Sequence, residues 1–226
     1  MKIIAHRGAS AELPENTLEA FDRALEIGVD GIELDVLLSK DGRMVVRHDD
    51  LIEVNGQWHY VNELTLQQLQ QIDLRDGARI PSLEEVLDRF HGRVPLTLDL
   101  KALGVTEVLV PVLESRKAGP EIHVTSFLHG EIVQMAEQYP AVMRSIVLAA
   151  VPIRFRELFE DTQTKQVSLF RGYVSREGLA GLQKHGVSIW IYPVNMPREA
   201  QTFAGWGVDA IFTDDPAGMK QFLITP

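Results

Sequence analysis

Short apolar runs recur along the chain and alternate with segments in which apolar residues follow a helical spacing. Several of these runs are nearly continuous Val, Ile and Leu, a composition typical of parallel strands that are buried on both faces. The repeated alternation of strands and helices indicates a parallel sheet. The predicted strands are Lys2–Ala5, Gly31–Leu38, Arg43–His48, Pro95–Asp99, Ile122–Ser126, Met143–Leu148, Val167–Phe170, Val187–Val194 and Ala210–Thr213.

The segments between the predicted strands carry helix signals. Leu18 and Phe21 share one face of a predicted helix over 16–27, and Ser82 with Glu85 forms a capping box ahead of another helix. Within one domain of 226 residues, this alternation favours a closed (β/α)8 TIM barrel, with a doubly wound open sheet as the alternative. The sequence has no glycine-rich nucleotide fingerprint to support the open sheet, and residues 1–226 are treated as a single domain.

One connection between predicted strands is too short for a helix. The dipeptide Asp41-Gly42 is a tight-turn signal, so the strands on either side of it should form an antiparallel hairpin. A turn centred on this dipeptide would place Asp35 opposite His48, and Glu33 lies on the same face of its strand as Asp35. Because the predicted strands number one more than a barrel of eight needs, we interpret the hairpin as a local distortion of the barrel.

The bulk composition narrows the classes of function. The net charge is -10, so the chain is a poor general partner for nucleic acid or for anionic membrane surfaces. A phosphate ligand would need a local positive site, which a bound divalent cation would supply. The sequence has no cysteine, no apolar stretch long enough to cross a membrane and no secretory signal pattern at its start. We therefore expect a cytoplasmic protein without a membrane span that is a monomer or a homodimer.

Two groups of polar residues lie where barrel enzymes carry their active sites, at the C-terminal ends of strands. His6 and Arg7 directly follow the first predicted strand, and a guanidinium group can bind a phosphate through two hydrogen bonds. Glu33 and Asp35 lie among apolar neighbours, where carboxylates are costly unless they are paired or bind a metal. Hard cations such as Mg2+ and Ca2+ prefer these oxygen ligands.

Two further groups add to this set. Asp99 and Lys101 stand at the end of another predicted strand, where the carboxylate could bind the same metal and the ammonium could neutralise a phosphate oxygen. His48 and Asp49 end the return strand of the hairpin, and a histidine can act as an acid or a base near neutral pH. Phosphoryl transfer to water or to a hydroxyl needs a base, an acid and charge neutralisation, and these residues supply all three.

The order of these motifs resembles the glycerophosphodiester phosphodiesterase family, within the phosphatidylinositol phospholipase C-like barrel superfamily. The resemblance implies a TIM barrel that hydrolyses glycerophosphodiesters, as small-molecule substrates, to an alcohol and sn-glycerol 3-phosphate. It also implies dependence on one divalent cation, Mg2+ or Ca2+. The matching segments run over essentially the whole chain: His6-Arg7-Gly8, Glu15-Asn16-Thr17, Gly31-Ile32-Glu33-Leu34-Asp35-Val36, Lys40-Asp41-Gly42, His48-Asp49, Ile80-Pro81-Ser82-Leu83-Glu84-Glu85, Leu98-Asp99-Leu100-Lys101, Ser126-Phe127, Val194-Asn195 and Gly207-Val208-Asp209-Ala210-Ile211-Phe212-Thr213-Asp214.

By position, the resemblance also implies roles for individual residues. The attacking oxygen belongs either to water or to a neighbouring glycerol hydroxyl that forms a cyclic phosphate, and the sequence does not divide the acid and base roles between the histidines. The implied residues are His6 and His48 as the acid–base pair; Glu33, Asp35 and Asp99 as metal ligands; and Arg7, Lys101, Glu15, Asn16, Phe127 and Trp190 as substrate-binding residues.

Two positions depart from the family pattern. The family usually has Glu at the position of Asp99, whose side chain is one methylene shorter. Trp190 is shifted relative to the family's Trp-Thr-Val-Asn segment, so Tyr192 and Phe127 are alternative aromatic walls for the substrate.

Residues 49–79 resemble a variable insertion of the family. Here the insertion is short, with a predicted helix near Leu66–Ile72, which suggests a small cap and an open site. Three other functions stay open from the sequence: a lysophospholipase D that acts on lysophospholipids, a non-catalytic binding barrel, and an unrelated barrel isomerase. The first would need an apolar rim near the insertion, which Trp58 and Tyr60 could provide.

Overall fold

The computed structural model describes residues 1–75 and 77–224. Its centre is a closed barrel of eight parallel strands with helices between them, which confirms the predicted fold class. The strands are β1 (Lys2–His6), β2 (Gly31–Leu38), β3 (Met44–Val46), β4 (Leu51–Val54), β5 (Gln57–Tyr60), β6 (Leu96–Leu100), β7 (Ile122–Ser126), β8 (Met143–Leu148), β9 (Gln166–Phe170), β10 (Ser188–Tyr192) and β11 (Ala210–Thr213).

Helices cover the outside of the barrel. Their bounds are α1 (Leu18–Ile27), α2 (Leu66–Gln70), α3 (Leu83–Phe90), α4 (Val105–Ser115), α5 (His129–Gln138), α6 (Arg156–Asp161), α7 (Arg176–Gln183), α8 (Pro197–Gly205) and α9 (Pro216–Ile224), with 3-10 turns at Val61–Glu63 and Arg171–Tyr173. Within the described ranges, no helix combines the length and apolarity that a bilayer crossing requires.

Apolar side chains fill the layer between the barrel and these helices. Phe21 of α1 meets Phe90 of α3 edge to face, with 5.9 Å between the ring centroids, and both rings are fully buried. The N-termini of the same helices are capped: Thr17 caps α1, and Ser82 with Glu85 forms the predicted capping box of α3. The helices that flank the first two barrel strands are thus fixed both by packing and by their caps.

Closure of the barrel brings the first and last strands together. β1 pairs in parallel with β2 and with β11, so that His6 lies beside Glu33 and Ala5 beside Thr213. β2 pairs in parallel with β6, which places Asp35 beside Asp99. Because parallel neighbours end on one face of a barrel, polar residues from distant parts of the sequence meet there.

β2 and β3 form the predicted antiparallel hairpin, but the predicted register is wrong by one residue. The loop has three residues, 40–42, and Gly42 closes it with a positive φ of 70°. A type I turn followed by a left-handed residue lengthens the loop relative to a two-residue turn and shifts the pairing. The N–H of Arg47, not that of His48, therefore donates to the carbonyl of Asp35, at 3.0 Å.

The segment 49–79 contains more regular structure than the sequence analysis predicted. β4 and β5 pair as an antiparallel hairpin around Asn55 and Gly56, both with positive φ. Asn-Gly between alternating residues is a strong hairpin signal that the strand prediction did not use. The predicted helix near Leu66–Ile72 is present as α2, which ends earlier, at Gln70.

Candidate active site

The C-terminal ends of the barrel strands surround a cleft of about 490 Å3, counted with the part that opens to solvent. Both predicted histidines, all three predicted carboxylates and both predicted phosphate-binding cations reach it. The lining residues are His6, Arg7, Glu33, Asp35, His48, Asp99, Lys101, Thr125, Phe127, Val147, Ser168, Tyr192 and Phe212.

Three buried carboxylates form an acidic cluster in this cleft. Glu33, Asp35 and Asp99 each offer one oxygen, and these oxygens all lie within 4.8 Å of one another. Glu33 and Asp35 share a face of β2 because side chains alternate along a strand. Asp99 joins them because β6 pairs with β2 in the register that sets it beside Asp35. These three residues are called the acidic cluster below.

Burial makes the acidic cluster costly unless a cation balances it. Loss of solvent raises the pKa of Glu33 well above its ordinary value, and repulsion from Asp35 and Asp99 raises it further. Burial is also the main cause that raises the pKa of Asp99 to about 7. Oδ1 of Asp99 is buried and has no hydrogen-bond partner among the described residues. Three hard oxygen donors, one of them unpartnered, fit a divalent cation such as Mg2+ or Ca2+.

Arg7 connects β1 to the acidic cluster. Its φ of 60° is uncommon for a residue with a side chain, and it directs the N–H to Oε2 of Glu33 at 3.0 Å. The guanidinium Nε lies 3.2 Å from Oδ2 of Asp35, and Nη1 donates to Oε2 of Glu15 at 3.0 Å. These contacts hold a positive group at the edge of the cluster, where it can donate to a phosphate oxygen.

Glu15 and Asn16, which the resemblance implies as substrate-binding residues, do not line the cleft. Glu15 holds the guanidinium of Arg7. Nδ2 of Asn16 donates to Oδ2 of Asp35 at 2.9 Å, and Oδ1 accepts the N–H of Asp35 at 3.2 Å. Both residues thus contact residues that line the cleft, Glu15 through Arg7 and Asn16 through Asp35.

His6 is oriented by a carboxylate from the other end of the sequence. Its Nδ1 lies 2.6 Å from Oδ1 of Asp214, and Oδ2 of Asp214 accepts from Nδ2 of Asn195, also at 2.6 Å. Burial acts to raise the pKa of Asp214, but the hydrogen bonds from His6 and Asn195 outweigh it and hold the pKa below its ordinary value. Because Nδ1 is engaged, Nε2 is the ring nitrogen that His6 can offer to the cleft.

Asp214 and Asn195 are not among the predicted site residues, although both lie in segments that match the family pattern. The available signal was their position: each follows the end of a barrel strand, and β11 is the strand that closes onto β1. A polar residue just after the last strand of a barrel is expected to reach the residue just after the first.

His48 approaches the cleft from the end of the β2–β3 hairpin. Its Nδ1 lies 2.7 Å from Oδ1 of Asp49, and the hydrogen bond from His48 is the main cause that lowers the pKa of Asp49. Arg47 fixes the backbone here, because its guanidinium donates to the carbonyls of Asp49 and Leu51, each at 3.0 Å. His48 is more exposed than His6, with 34% of its side chain accessible against 15%.

Lys101 and aromatic side chains form another part of the cleft. Nζ of Lys101 lies 3.5 Å from Oδ2 of Asp99 and 5.9 Å from the centroid of the Phe127 ring. Phe127 packs edge to face with Tyr192, at 6.2 Å between centroids. Trp190 does not line the cleft: it is buried against Phe212, one inward position deeper on β10 than Tyr192. Of the three aromatic residues considered for the substrate wall, Phe127 and Tyr192 line the cleft and Trp190 lies deeper in the barrel.

Gly8 is needed because the loop after β1 runs against α1. Its φ is 83°, and a Cβ at this position would lie 2.7 Å from the carbonyl carbon of Ala20. We expect Gly8→Ala to lower the free energy of unfolding by about 3 kcal/mol, from backbone strain plus the clash. Gly42→Ala is the matched control, since Gly42 has a similar φ but no atom within 4 Å of the added Cβ. Urea denaturation that found equal losses for both variants would contradict the close packing at Gly8.

The cleft of this (β/α)8 barrel holds the acidic cluster, two histidines and two cationic side chains. Barrels with this combination form a class suited to metal-assisted chemistry on phosphate esters. The model of the glycerophosphoryl diester phosphodiesterase family matches residues 6–218. The chain belongs to this family, which confirms the resemblance carried by its motifs.

Relatives match over nearly their full length. YhdW of Bacillus subtilis (strain 168) is 34% identical over 239 residues, covering 96% of this chain and 95% of YhdW. The glycerophosphodiester phosphodiesterase of Caldanaerobacter subterraneus subsp. tengcongensis is 30% identical over 229 residues, with 95% and 94% covered. A solved phosphodiesterase of Oleispira antarctica, in complex with the product sn-glycerol-3-phosphate, aligns with a TM-score of 0.90 at 24% identity, covering 99% of this chain and 96% of that one. The last comparison supports the barrel fold.

Proposed function

We propose that the protein is an enzyme that hydrolyses glycerophosphodiesters to an alcohol and sn-glycerol 3-phosphate, with the help of one divalent cation. The observation that carries the proposal is the convergence, in one cleft, of the acidic cluster, two histidines and two cationic side chains. Membership in the family, whose named relatives include a glycerophosphodiester phosphodiesterase, supports the choice of substrate.

The acidic cluster would hold the cation. When bound, Mg2+ or Ca2+ would neutralise negative charge on the phosphodiester and make its phosphorus more open to attack. The chain's own cations add to this effect. Arg7 and Lys101 flank the cluster and would bind and orient the remaining phosphate oxygens.

His6 and His48 would move the protons. One imidazole accepts the proton of the attacking oxygen while the other donates a proton to the leaving alcohol. Asp214 holds the proton of His6 on Nδ1, which leaves Nε2 to exchange a proton at the reacting oxygen. The attacking oxygen is that of water, or of the neighbouring glycerol hydroxyl with a cyclic phosphate as the intermediate.

The products of one substrate test this assignment. With glycerophosphocholine as the substrate, 31P NMR should show sn-glycerol 3-phosphate and no phosphocholine, because the proposed leaving group is the alcohol. Recording the 31P spectra over the time course separates the two routes, since a cyclic phosphate intermediate would be visible as a transient resonance and direct attack by water would give none. Release of phosphocholine and glycerol would show that the bond between phosphorus and the glycerol oxygen is cleaved instead, which would overturn the proposal.

Asp214 should act through His6. We expect Asp214→Asn to lower kcat by about 100-fold, because an amide neither fixes the Nδ1–H tautomer nor stabilises a protonated ring. KM and cation affinity should change little, and the limb of the pH–rate profile that depends on His6 should shift. Asp49→Asn is the matched control: its contact with His48 is exposed, so its effect should be several-fold smaller. An Asp214→Asn protein with an unchanged kcat and pH profile would show that Asp214 is only structural.

Cation binding should stabilise the protein more at high pH than at low pH. The folded protein binds protons at Glu33 and Asp99 more tightly than the unfolded chain does, so the stability of chelator-treated protein falls as pH rises toward about 7. Above that pH a cation replaces the protons, whereas below it protons compete with the cation. We expect Mg2+ or Ca2+ to raise Tm more at pH 8 than at pH 6. In the Asp99→Asn variant, the difference between these two rises in Tm should be smaller. Equal shifts at both pH values would count against a cation at the acidic cluster.

A further inference from the structure

One hydroxyl group in the wall of the cleft has no partner in the protein. Ser168 lies on β9, lines the cleft and is only 2% exposed. Val147 on β8 and Trp190 on β10 lie beside it in register, and Oγ of Ser168 has no hydrogen-bond partner among the described residues. A buried hydroxyl without a partner is unfavourable, because it has lost its hydrogen bonds to water. The hydroxyl of Ser168 is therefore a candidate for binding a ligand that enters the cleft.

The other two hydroxyl groups among the described lining residues are already engaged. Oγ1 of Thr125 accepts a hydrogen bond from Oγ of Ser145 at 2.8 Å. The hydroxyl of Tyr192 donates to the carbonyl of Leu148 at 3.4 Å. Of the three hydroxyl groups in the wall, that of Ser168 is thus the one whose hydrogen-bonding capacity is left for a ligand.

Ser168 faces the acidic cluster from across the barrel. The path from β2 to β9 crosses β6, β7 and β8 in one direction and β1, β11 and β10 in the other, so the two strands are diametrically opposite. Glu33 and Asp35 lie on β2. A phosphate held at the acidic cluster would therefore direct toward Ser168 a part of the substrate that is remote from phosphorus.

We propose that Ser168 binds the primary hydroxyl of the glycerol half of the substrate and thereby selects glycerophosphodiesters over diesters that lack this hydroxyl. The proposal rests on the proposed function and deepens it, because it assigns the glycerol half to the β9 side of the cleft. A serine hydroxyl can donate and accept, so it pairs with an alcohol hydroxyl in either direction. Ser168 takes no part in breaking the phosphoester bond.

The burial of Ser168 favours the glycerol half over the leaving alcohol as its ligand. Only a small group that reaches the closed part of the cleft can contact a side chain that is 2% exposed. The glycerol half ends in such a group and is common to all glycerophosphodiesters, whereas the leaving alcohols differ in size. A site that pairs with a substrate hydroxyl also discriminates against an analogue without it, because the buried polar group of the site then stays unpaired.

Two substrates that differ by one hydroxyl test the proposal. Glycerophosphocholine has the primary hydroxyl, whereas 2-hydroxypropyl phosphocholine lacks it but keeps the hydroxyl next to the phosphoester, so both routes of attack stay open. The wild type should hydrolyse the first with a kcat/KM about tenfold higher, the effect expected of one neutral hydrogen bond. The difference should lie mainly in KM, since the contact is remote from phosphorus. In Ser168→Ala the preference should fall to about twofold or less.

Ser145→Ala is the matched control for Ser168→Ala. It removes a buried hydroxyl from the neighbouring strand β8, but that hydroxyl donates to Thr125 and does not line the cleft. Ser145→Ala should keep the tenfold preference and lower Tm, because it breaks a buried hydrogen bond. Ser168→Ala should lose the preference and keep or raise Tm, because the hydroxyl it removes has no partner.

The proposal is overturned if the wild type hydrolyses both substrates equally well. It is also overturned if Ser168→Ala keeps the wild-type preference, as it would if the hydroxyl held only a buried water, or if Ser145→Ala loses the preference to the same extent. Failure of the proposed function would look different, since the wild type would then not hydrolyse glycerophosphocholine at all.

In that case, binding measurements still test the contact. Isothermal titration calorimetry with Mg2+ or Ca2+ present would compare sn-glycerol 3-phosphate with 2-hydroxypropyl phosphate. The wild type should bind the first about tenfold more tightly, and Ser168→Ala should bind both with similar affinity. Equal affinities in the wild type would overturn the proposal.

Discussion

Replacement of His6 by alanine is expected to lower kcat by about 1,000-fold or more, because the variant loses a positioned proton-transfer group and its carboxylate partner has nothing left to orient. His48→Ala should have an effect of similar size, since the proposed reaction needs both a base and an acid. Neither substitution removes a cation ligand. Cation affinity, measured by isothermal titration calorimetry, should therefore stay within a few-fold of the wild-type value.

The pH–rate profiles of the same variants distinguish this account from simple disruption of the site. The wild type should show a bell-shaped profile, and each variant should lose one limb of it. His185→Ala is a suitable control, because His185 is exposed, packs against Phe155 and lies outside the cleft. If either His6→Ala or His48→Ala keeps wild-type turnover with its cation bound, the proposed acid–base pair is wrong.

Glu33→Gln is expected to abolish tight cation binding and to lower activity by about 100-fold or more. Loss of a group that merely orients a metal ligand already costs about 10- to 100-fold in affinity, and loss of a ligand should cost at least as much. The substitution keeps the shape of the side chain and an oxygen that can accept the N–H of Arg7. Because burial and neighbouring carboxylates disfavour the charged form of Glu33, the chelator-treated variant should have a Tm equal to or above that of the wild type.

The Glu33→Gln variant is therefore expected to lose activity while its Tm stays equal or rises, and this combination distinguishes loss of the cation from unfolding. A variant that lost activity because it was unfolded would show a lower Tm. Glu15→Gln is the matched control, since it also removes one negative charge near Arg7 but lies outside the acidic cluster. It should keep the cation-dependent rise in Tm. A Glu33→Gln protein that binds Mg2+ or Ca2+ as tightly as the wild type would remove Glu33 from the cation site.

Much of the fold follows from local patterns in the sequence. The parallel strands are nearly continuous apolar runs, and polar residues such as His6 and Asp99 mark the positions near their C-terminal ends. The acidic cluster was predictable for the same reason, since Glu33 and Asp35 are two residues apart on one strand. These features depend on the alternation of side-chain direction along a strand, which repeats every two residues, and on the position of all the strand C-termini at one face of the barrel.

The features that the sequence analysis missed depend on geometry between distant segments. The His6–Asp214 contact joins residues separated by 208 positions, and only closure of β11 onto β1 brings them together. The hairpin register depended on whether Gly42 ends a three-residue loop or sits within a two-residue turn, which Asp-Gly alone does not determine. Alternation along β10 points both Trp190 and Tyr192 inward, but only the stagger of the barrel decides which of them reaches the cleft.

The central claim is a cation-dependent hydrolysis carried out in the cleft, and one assay tests it most directly. Release of sn-glycerol 3-phosphate from glycerophosphocholine, glycerophosphoethanolamine and glycerophosphoglycerol would be measured before chelation, with EDTA, and after restoring Mg2+ or Ca2+. The predicted result is release that EDTA abolishes and that at least one of the two cations restores in the wild type but not in Glu33→Gln. Release that is unaffected by EDTA, or no release from any of these substrates with either cation present, would contradict the account.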